Sequence, residues 1–497
     1  MYILPLFVVI PLGGAFLISL LGKRMKAIPD SLGFICTGSL FLFSLFSVFL
    51  TSNMEVIVYK VGGWVPPIGI CMVLDGLTSF MLVTLNLVSF LVAIYSVSYM
   101  ERYTDKWKFY VLFFLMLAGM NGIVVTGDLF NLFVFLEIAS ISSYALVAFG
   151  TEEEELEASF KYAIMGSVAS SFILLGIALL YSIAATLNMA DISLEIAKLQ
   201  SSSRILKFII VLFIMGFGLK AALIPFHAWL PDAHPSAPAP ISAMLSGVLI
   251  KVLGVYALIR IFFNVIGTDK TILSILIILG IISMIMGAFL AIGQKDMKRM
   301  LAYSSISQIG YIIFAIGIQT PLAIFAGLFH LINHAVFKSL LFLNSGAVEY
   351  SADTRNLDEM GGLNNRLIIT GHTSLIGSMS ISGIPPLSGF WSKLLIILAA
   401  VQAKYVGLAI VAILVSILTL AYYLRLQRDA FFGRLNERLK AIKEVPWTMQ
   451  VSMLILAFVC IFGGLMLIPF LRPFLHNAAD ALLEGRNYAG LVLGAVK

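Results

Sequence analysis

Residues 216–245 read GFGLKAALIPFHAWLPDAHPSAPAPISAML. Lys220 lies deep in an apolar run that otherwise has the make-up of a membrane helix, and Pro225 breaks that run five residues later. A charge at that depth is costly unless water, a counter-charge or a change of protonation relieves it. A broken helix is tolerated at membrane depth only where its freed backbone groups face protein or a wet cavity. Together the two features point to an ion-handling site inside a membrane protein.

The surrounding chain agrees. Of its 497 residues 60% are hydrophobic and 12% charged, far from the balance of a soluble domain. Apolar runs of about 20 residues, each able to cross a hydrocarbon core of about 30 Å, recur along nearly the whole length. The expected fold class is an all-α polytopic membrane protein of about 14 transmembrane helices, with spans starting near residues 2, 31, 72, 107, 128, 159, 205, 240, 271, 299, 320, 367, 405 and 449. The segment 2–22 has no basic stretch before its apolar core, so it reads as a first span rather than a cleaved signal peptide. A net charge of +6 would suggest nucleic acid in a soluble protein, but here the cations sit in loops.

Those loops alternate in charge. Lys23, Arg24 and Lys26 follow span 1, Arg102, Lys106 and Lys108 follow span 3, and Lys295, Lys298 and Arg299 follow span 9. The densest group, from Arg425 to Lys443, follows span 13. The positive-inside rule therefore predicts odd-numbered loops in the cytoplasm and both termini outside the cell membrane. Cys36, Cys71 and Cys460 are scattered in apolar segments without metal spacing and read as packing residues. No metal site is expected.

A second interrupted span mirrors the first. GIPPLSGFWSK, residues 383–393, again sets a lysine (Lys393) beside a proline break (Pro385, Pro386), about 170 residues after Lys220 and Pro225. Paired interrupted spans are the sequence pointer to inverted repeats around a midplane site.

Other ionisable residues stand inside the spans. Glu137 has no basic residue within one helical turn, which makes Lys220 its natural partner across two spans, at ion-pair distance. Lys251 is about eleven residues into span 8 and could reach the surface only if that span is tilted. His330, His334 and Lys338 are spaced i, i+4, i+8 and share one helix face, which should point inward. Two histidines at that spacing could hold a metal, but no carboxylate or cysteine nearby completes a site, and a proton relay is the better reading. Glu137, Lys220, Lys251, His330, His334, Lys338 and Lys393 thus form a set of proton carriers. A lysine whose carboxylate partner withdraws loses its counter-charge and can release its proton, a switch that needs no cofactor. No nucleotide loop, haem motif, iron–sulfur spacing or nucleophile constellation appears, so no catalytic chemistry or cofactor is expected in this chain.

Five segments carry a family resemblance: GDLFNLFVFLE, GLKAALIPFHAWLPDAHPSAPAPISAML, MKRMLAYSSISQIGY, FHLINHAVFKSLLFLNSGAV and GIPPLSGFWSKLLI. Through them the chain resembles the proton-translocating antiporter-like family shared by Mrp-type cation/proton antiporters, respiratory complex I and membrane-bound hydrogenases. The resemblance implies two inverted five-helix repeats with spans 7 and 12 broken, and a polar axis in the membrane plane. In the family pattern Glu137 takes the span 5 glutamate, Lys220 the span 7 lysine, Lys251 the span 8 bridging base, His330 and His334 the span 11 histidines, and Lys393 the terminal base of span 12. It divides the chain into residues 1–106, the repeats 107–265 and 266–425, and a tail 426–497 with a basic cytoplasmic loop and the last helix. It also implies other membrane subunits as partners, with protons and Na⁺ as cargo, in the plasma membrane of a prokaryote. Length and the PPLSGFWSK stretch favour an Mrp-type subunit, and the counterpart in a redox-driven hydrogenase, sulfur-reducing or complex I-like assembly is the alternative. Two readings from other classes are a solute transporter and an inert anchor for a redox enzyme.

Overall fold

The computed structural model describes residues 3–53, 56–198 and 204–495. Helices α1 (Leu6–Leu21) and α2 (Ile28–Asn53) lead into an antiparallel hairpin, β1 (Ile57–Lys60) and β2 (Cys71–Leu74), in which Ile57 faces Leu74. Next come α3 (Gly76–Tyr99), α4 (Lys106–Val125), α5 (Leu129–Val147), α6 (Glu153–Ala184) and the short amphipathic α7 (Met189–Lys198). The first broken span is α8 (Arg204–Lys220) and α9 (Leu230–Ser236), followed by α10 (Ala239–Ile266). Helices α11 (Lys270–Ile292), α12 (Met297–Ile318) and α13 (Pro321–Ala352) precede the second broken span, α14 (Ile368–Ser382) and α15 (Ser388–Gln402). The chain then forms α16 (Val406–Phe431), α17 (Trp447–Leu467), α18 (Arg472–Leu483) and α19 (Tyr488–Gly494).

Among the described residues eleven helices are long and apolar enough to cross a membrane. The sequence expectation of about 14 spans is met only by adding α1, which is 16 residues long, and the two broken spans. The hairpin and the docked α18 and α19 were outside that expectation. Their runs are too short for a membrane period, and the two C-terminal helices dock on elements far away in the chain.

Two clasps reveal the repeat. Asp128 caps α5 by accepting the Asn131 N–H and bridges Asn188, while the Leu129 N–H donates to the Leu187 carbonyl and the Met189 N–H to that of Gly127. Asp296 caps α12 in the same way and bridges Asn356, with Met297 donating to Arg355 and Leu357 to Lys295. Every member of the first clasp reappears 168 residues later (128 to 296, 188 to 356). α6 and α13, of 32 residues each, keep the same offset. The two halves are therefore one design used twice.

The centre of the bundle is α10, α12 and α13, buried on nearly all sides, whereas α2, α16 and α17 expose one apolar face. Close crossing needs small residues. At the α11–α12 contact a Cβ on Gly280 would meet the Phe314 nitrogen at 2.6 Å, and one on Gly310 the Met284 nitrogen at 2.5 Å.

One ion pair ties the hairpin end of the bundle together. Asp75 caps α3 and accepts two N–H bonds, of 2.7 and 2.8 Å, from the Arg260 guanidinium near the end of α10. Arg260 also donates to Asn264, which donates to the Ala481 and Gly485 carbonyls, and it lies over the Tyr488 ring at 5.3 Å. Burial alone would push the Asp75 carboxyl up, but the Arg260 charge and its two bonds outweigh this and hold the carboxyl below its ordinary value. The stabilisation is thus complete above the unfolded value of about 4 and is lost as pH falls through the lower folded value. Asp75→Asn should strand a buried guanidinium and cost about 3–5 kcal/mol. The measurement is the thermal midpoint of the purified protein, which should fall and should no longer respond to acid in that window.

Candidate functional site

The interrupted spans expose backbone groups inside the bundle, and polar side chains take them up. At the first break the Trp229 indole donates to the Leu219 carbonyl at 3.0 Å, and Ser283 of α11 accepts the Ile224 N–H at 3.0 Å. At the second, Ser416 of α16 donates to the Ser382 carbonyl at 3.0 Å and Asn333 of α13 to that of Ser388 at 3.2 Å. Pro225 and the Pro385–Pro386 pair stand in these non-helical segments.

Each break delivers a lysine. Lys220 closes α8 and donates to the Ser140 hydroxyl at 2.8 Å and to the Tyr144 hydroxyl at 3.3 Å, both on α5. Its expected partner Glu137 makes no ion pair with it; that carboxylate instead accepts from Ser170 of α6. Glu137 is half-buried at the rim of the bundle, where Ser170 competes for it, while Ser140 and Tyr144, one and two turns further along α5, lie nearer the break. The two charges still lie within electrostatic reach of each other. Tyr144 is fixed by an edge contact with Tyr162, which stacks on Trp229 at 4.2 Å.

Lys251, fully buried, donates to the Ser246 carbonyl at 2.6 Å, so it does not reach the surface. Its helix α10 winds in wide π-type turns over Leu245–Leu249, Lys251–Tyr256 and Arg260–Ile266, a geometry common at functional sites. Lys338 donates to the Leu301 carbonyl at 2.7 Å and to the Tyr423 hydroxyl at 3.2 Å. Lys393 donates to Ser416 at 3.2 Å and lies 5.0 Å from the centre of the Tyr311 ring. All four ammonium groups therefore rest on neutral oxygens, and the strong ion pairs within the bundle belong to other residues, Asp75–Arg260 and Lys298–Glu349.

His330 bonds Ser392 at 2.9 Å and Gln308 at 3.2 Å, and its ring stacks 6.4 Å from that of His334. His334 has no protein partner at either nitrogen, yet Lys251, Lys338, His330 and Lys393 all lie within its electrostatic reach. His234 of α9 was missed by sequence reasoning, since its Pro-flanked segment reads as a loop. It too is fully buried with both nitrogens unpaired, within reach of Lys251 and Lys338. The structure thus links Glu137, Lys220 and the two tyrosines at one end, and gathers Lys251, His334, Lys338, His330 and Lys393 in the centre and second half. Among the described residues no group of three His, Cys, Asp or Glu side chains could hold a metal.

Comparison with known proteins fits this geometry. Residues 126–419 match the family described as NADH:quinone oxidoreductase/Mrp antiporter, TM, and residues 64–110 the N-terminus of complex I chain 5. The D-type Na⁺/H⁺ antiporter subunit of Alkalihalophilus pseudofirmus is 36% identical over 421 residues, covering 84% of this chain and 85% of that one. The N-type NADH-quinone oxidoreductase subunit of Desulforudis audaxviator is 34% identical over 450 residues, covering 89% of each. A chain in the structure of the Mrp complex from Dietzia sp. superposes with a TM-score of 0.92 at 28% identity, covering 99% of both. The chain belongs to the NADH:quinone oxidoreductase/Mrp antiporter family, and it is a multi-pass membrane protein.

The histidines offer a test of role against packing. His334→Leu removes a ring whose nitrogens bond nothing in the protein, so the fold should be unharmed or slightly stabilised. His330→Leu strands Ser392 and Gln308 and should cost about 1–3 kcal/mol. Thermal midpoints of the two variants should separate in that order, while ion exchange in membrane vesicles is lost in both.

Proposed function

We propose that this chain is the D-type, proton-translocating subunit of a multi-subunit Mrp-type cation/proton antiporter. The observation that carries the reading is the set of four buried lysines held only by neutral oxygens, three of them, Lys251, Lys338 and Lys393, within electrostatic reach of the unpaired His334. Burying an ammonium without a counter-charge is expensive, and such groups in membrane spans mark ion paths rather than packing. A proton added at one base raises the cost of a proton on the next, so occupancy passes along the line. Protons move between Glu137, Ser140, Tyr144 and Lys220 at one end, Lys251, Lys338 and His334 in the centre, and His330 and Lys393 at the other end, with water completing the steps. His234 feeds the centre from α9.

The likeness to a D-type antiporter subunit and to a chain of an Mrp complex supports Na⁺ as the exchanged cation and other membrane subunits as partners. The division into 1–106, the repeats 107–265 and 266–425, and 426–497 is supported by one clasp falling within each repeat. Odd-numbered loops face the cytoplasm of a prokaryotic cell and both termini face out, as their cations direct. A second reading, a redox-driven complex with the same proton path, is favoured by the likeness to the quinone oxidoreductase subunit.

Lys220→Ala tests the path. In everted vesicles carrying the whole complex it should assemble normally and lose at least about tenfold of the Na⁺-driven collapse of a pH gradient, ~1.4 kcal/mol or more of coupling. Full exchange by this variant would refute the path. Mass spectrometry of the complex purified through this chain separates the two readings. Small hydrophobic subunits alone mean an antiporter, and iron–sulfur or flavin subunits mean a redox-driven pump.

A further inference from the structure

On the face that carries the odd-numbered loops, adjoining cavities of about 380, 440 and 780 Å³ share walls at Glu152, Glu154, Glu155, Glu349 and Arg355. Together they form a carboxylate-lined vestibule. Its floor is the turn between α9 and α10. Ser236 lines the vestibule, yet His234, two residues earlier, is fully buried. One turn of backbone is all that separates open solvent from the histidine.

Two cations pin that turn from the vestibule side. Lys298, second residue of α12 and 1% exposed, donates to the Ala237 carbonyl at 3.1 Å. Its ammonium meets the Glu349 carboxylate of α13 at 2.8 Å. Arg355 donates to the Pro235 carbonyl and meets Glu349 at 4.0 Å and Asp296 at 3.3 Å. Beneath, Ser242 of α10 donates to the His234 carbonyl at 2.7 Å and to that of Ala237 at 3.2 Å. Glu349 is the common anchor, and at 22% exposure it is the one member of the pair that water reaches. The groups around it are Lys298, Arg355 and Arg102 as cations, Glu152 and Glu155 of the same cavity walls, and Tyr95, Tyr99 and Tyr103 from α3 and its end.

We propose that the Lys298–Glu349 pair is a latch that closes the vestibule off from His234 and Ser242, and that its parting opens the floor of the vestibule to protons. The transport consequence rests on the proton path proposed above; the latch itself does not. Lys298 and the Glu349 oxygen that meets it are shut away from water, but the Glu349 side chain as a whole, 22% exposed, borders the vestibule among other carboxylates. When Glu349 turns to the solvent, Lys298 keeps only the Ala237 carbonyl. An uncompensated buried ammonium is costly, so it follows its counter-charge toward the vestibule and the turn is released.

The test is accessibility, read without reference to ion exchange. The native cysteines Cys36, Cys71 and Cys460 are buried, so Ser242→Cys in the intact complex supplies the reporter for a small cationic methanethiosulfonate. Labelling should be slow, and Glu349→Gln should speed it at least about tenfold, ~1.4 kcal/mol, while Glu349→Asp keeps it slow. An unchanged rate in Glu349→Gln overturns the latch. So does equal acceleration at a control, Ser89→Cys, buried in α3, because that would be general loosening rather than a local opening. Loss of antiport with the labelling pattern intact would sink the proton path and leave the latch standing.

Discussion

The constraint on which the rest depends is an ammonium group inside a low-dielectric bundle with no carboxylate beside it. Lys220, Lys251, Lys338 and Lys393 each meet it in the same way, with one or two neutral oxygens from serine, tyrosine or a backbone carbonyl. A hydrogen bond to a neutral oxygen offsets only part of the desolvation of a charge. The polar groups at the two breaks serve that arrangement. The broken spans bring two of the lysines to mid-depth, and Trp229, Ser283, Asn333 and Ser416 satisfy the backbone that the breaks set free.

Symmetry explains how a single chain makes a line rather than one site. The clasps at Asp128–Asn188 and Asp296–Asn356 set the same helix entry in each half. Each half then contributes one broken span with its lysine, and the fully buried α10 and α13 lie between them carrying Lys251, His334 and Lys338. The ends differ. Glu137 stands half-buried at the rim in the first half, whereas the second half ends in Lys393 against the Tyr311 ring. Strong ion pairing is kept for places that must hold shape or open on cue. Asp75–Arg260 fastens the hairpin to the C-terminal helices, and Lys298–Glu349 fastens the turn above His234.

What could be read from the sequence follows from contrast. A charge in an apolar run is conspicuous, so Lys220, Lys251, Lys338, Lys393, His330 and His334 all stood out, as did the two prolines-and-lysine interruptions and the all-helical membrane fold. Pairing was less legible, because it depends on how neighbouring helices are rotated. Glu137 is the partner expected for Lys220, yet it accepts from Ser170 of α6 while Lys220 donates to the α5 hydroxyls of Ser140 and Tyr144. His234 and Lys298 were passed over for the opposite reason to the lysines. Each sits in a polar segment where a charge is ordinary, and only the burial of His234 at 0% and Lys298 at 1% exposure gives them meaning. The Asn188 and Asn356 clasps join residues 60 apart (128 to 188, 296 to 356), with no local pattern to announce them.

If the buried lysines are kept for transport at the expense of stability, removing one should uncouple the two properties. The most direct measurement is therefore Lys251→Leu in the purified complex, with thermal midpoint and Na⁺-driven proton movement in proteoliposomes read on the same preparation. The expected result is a midpoint equal to or above that of the unaltered complex and no proton movement. A variant that exchanges ions at the full rate, or that falls apart because the ammonium was holding α10 in place, would contradict it.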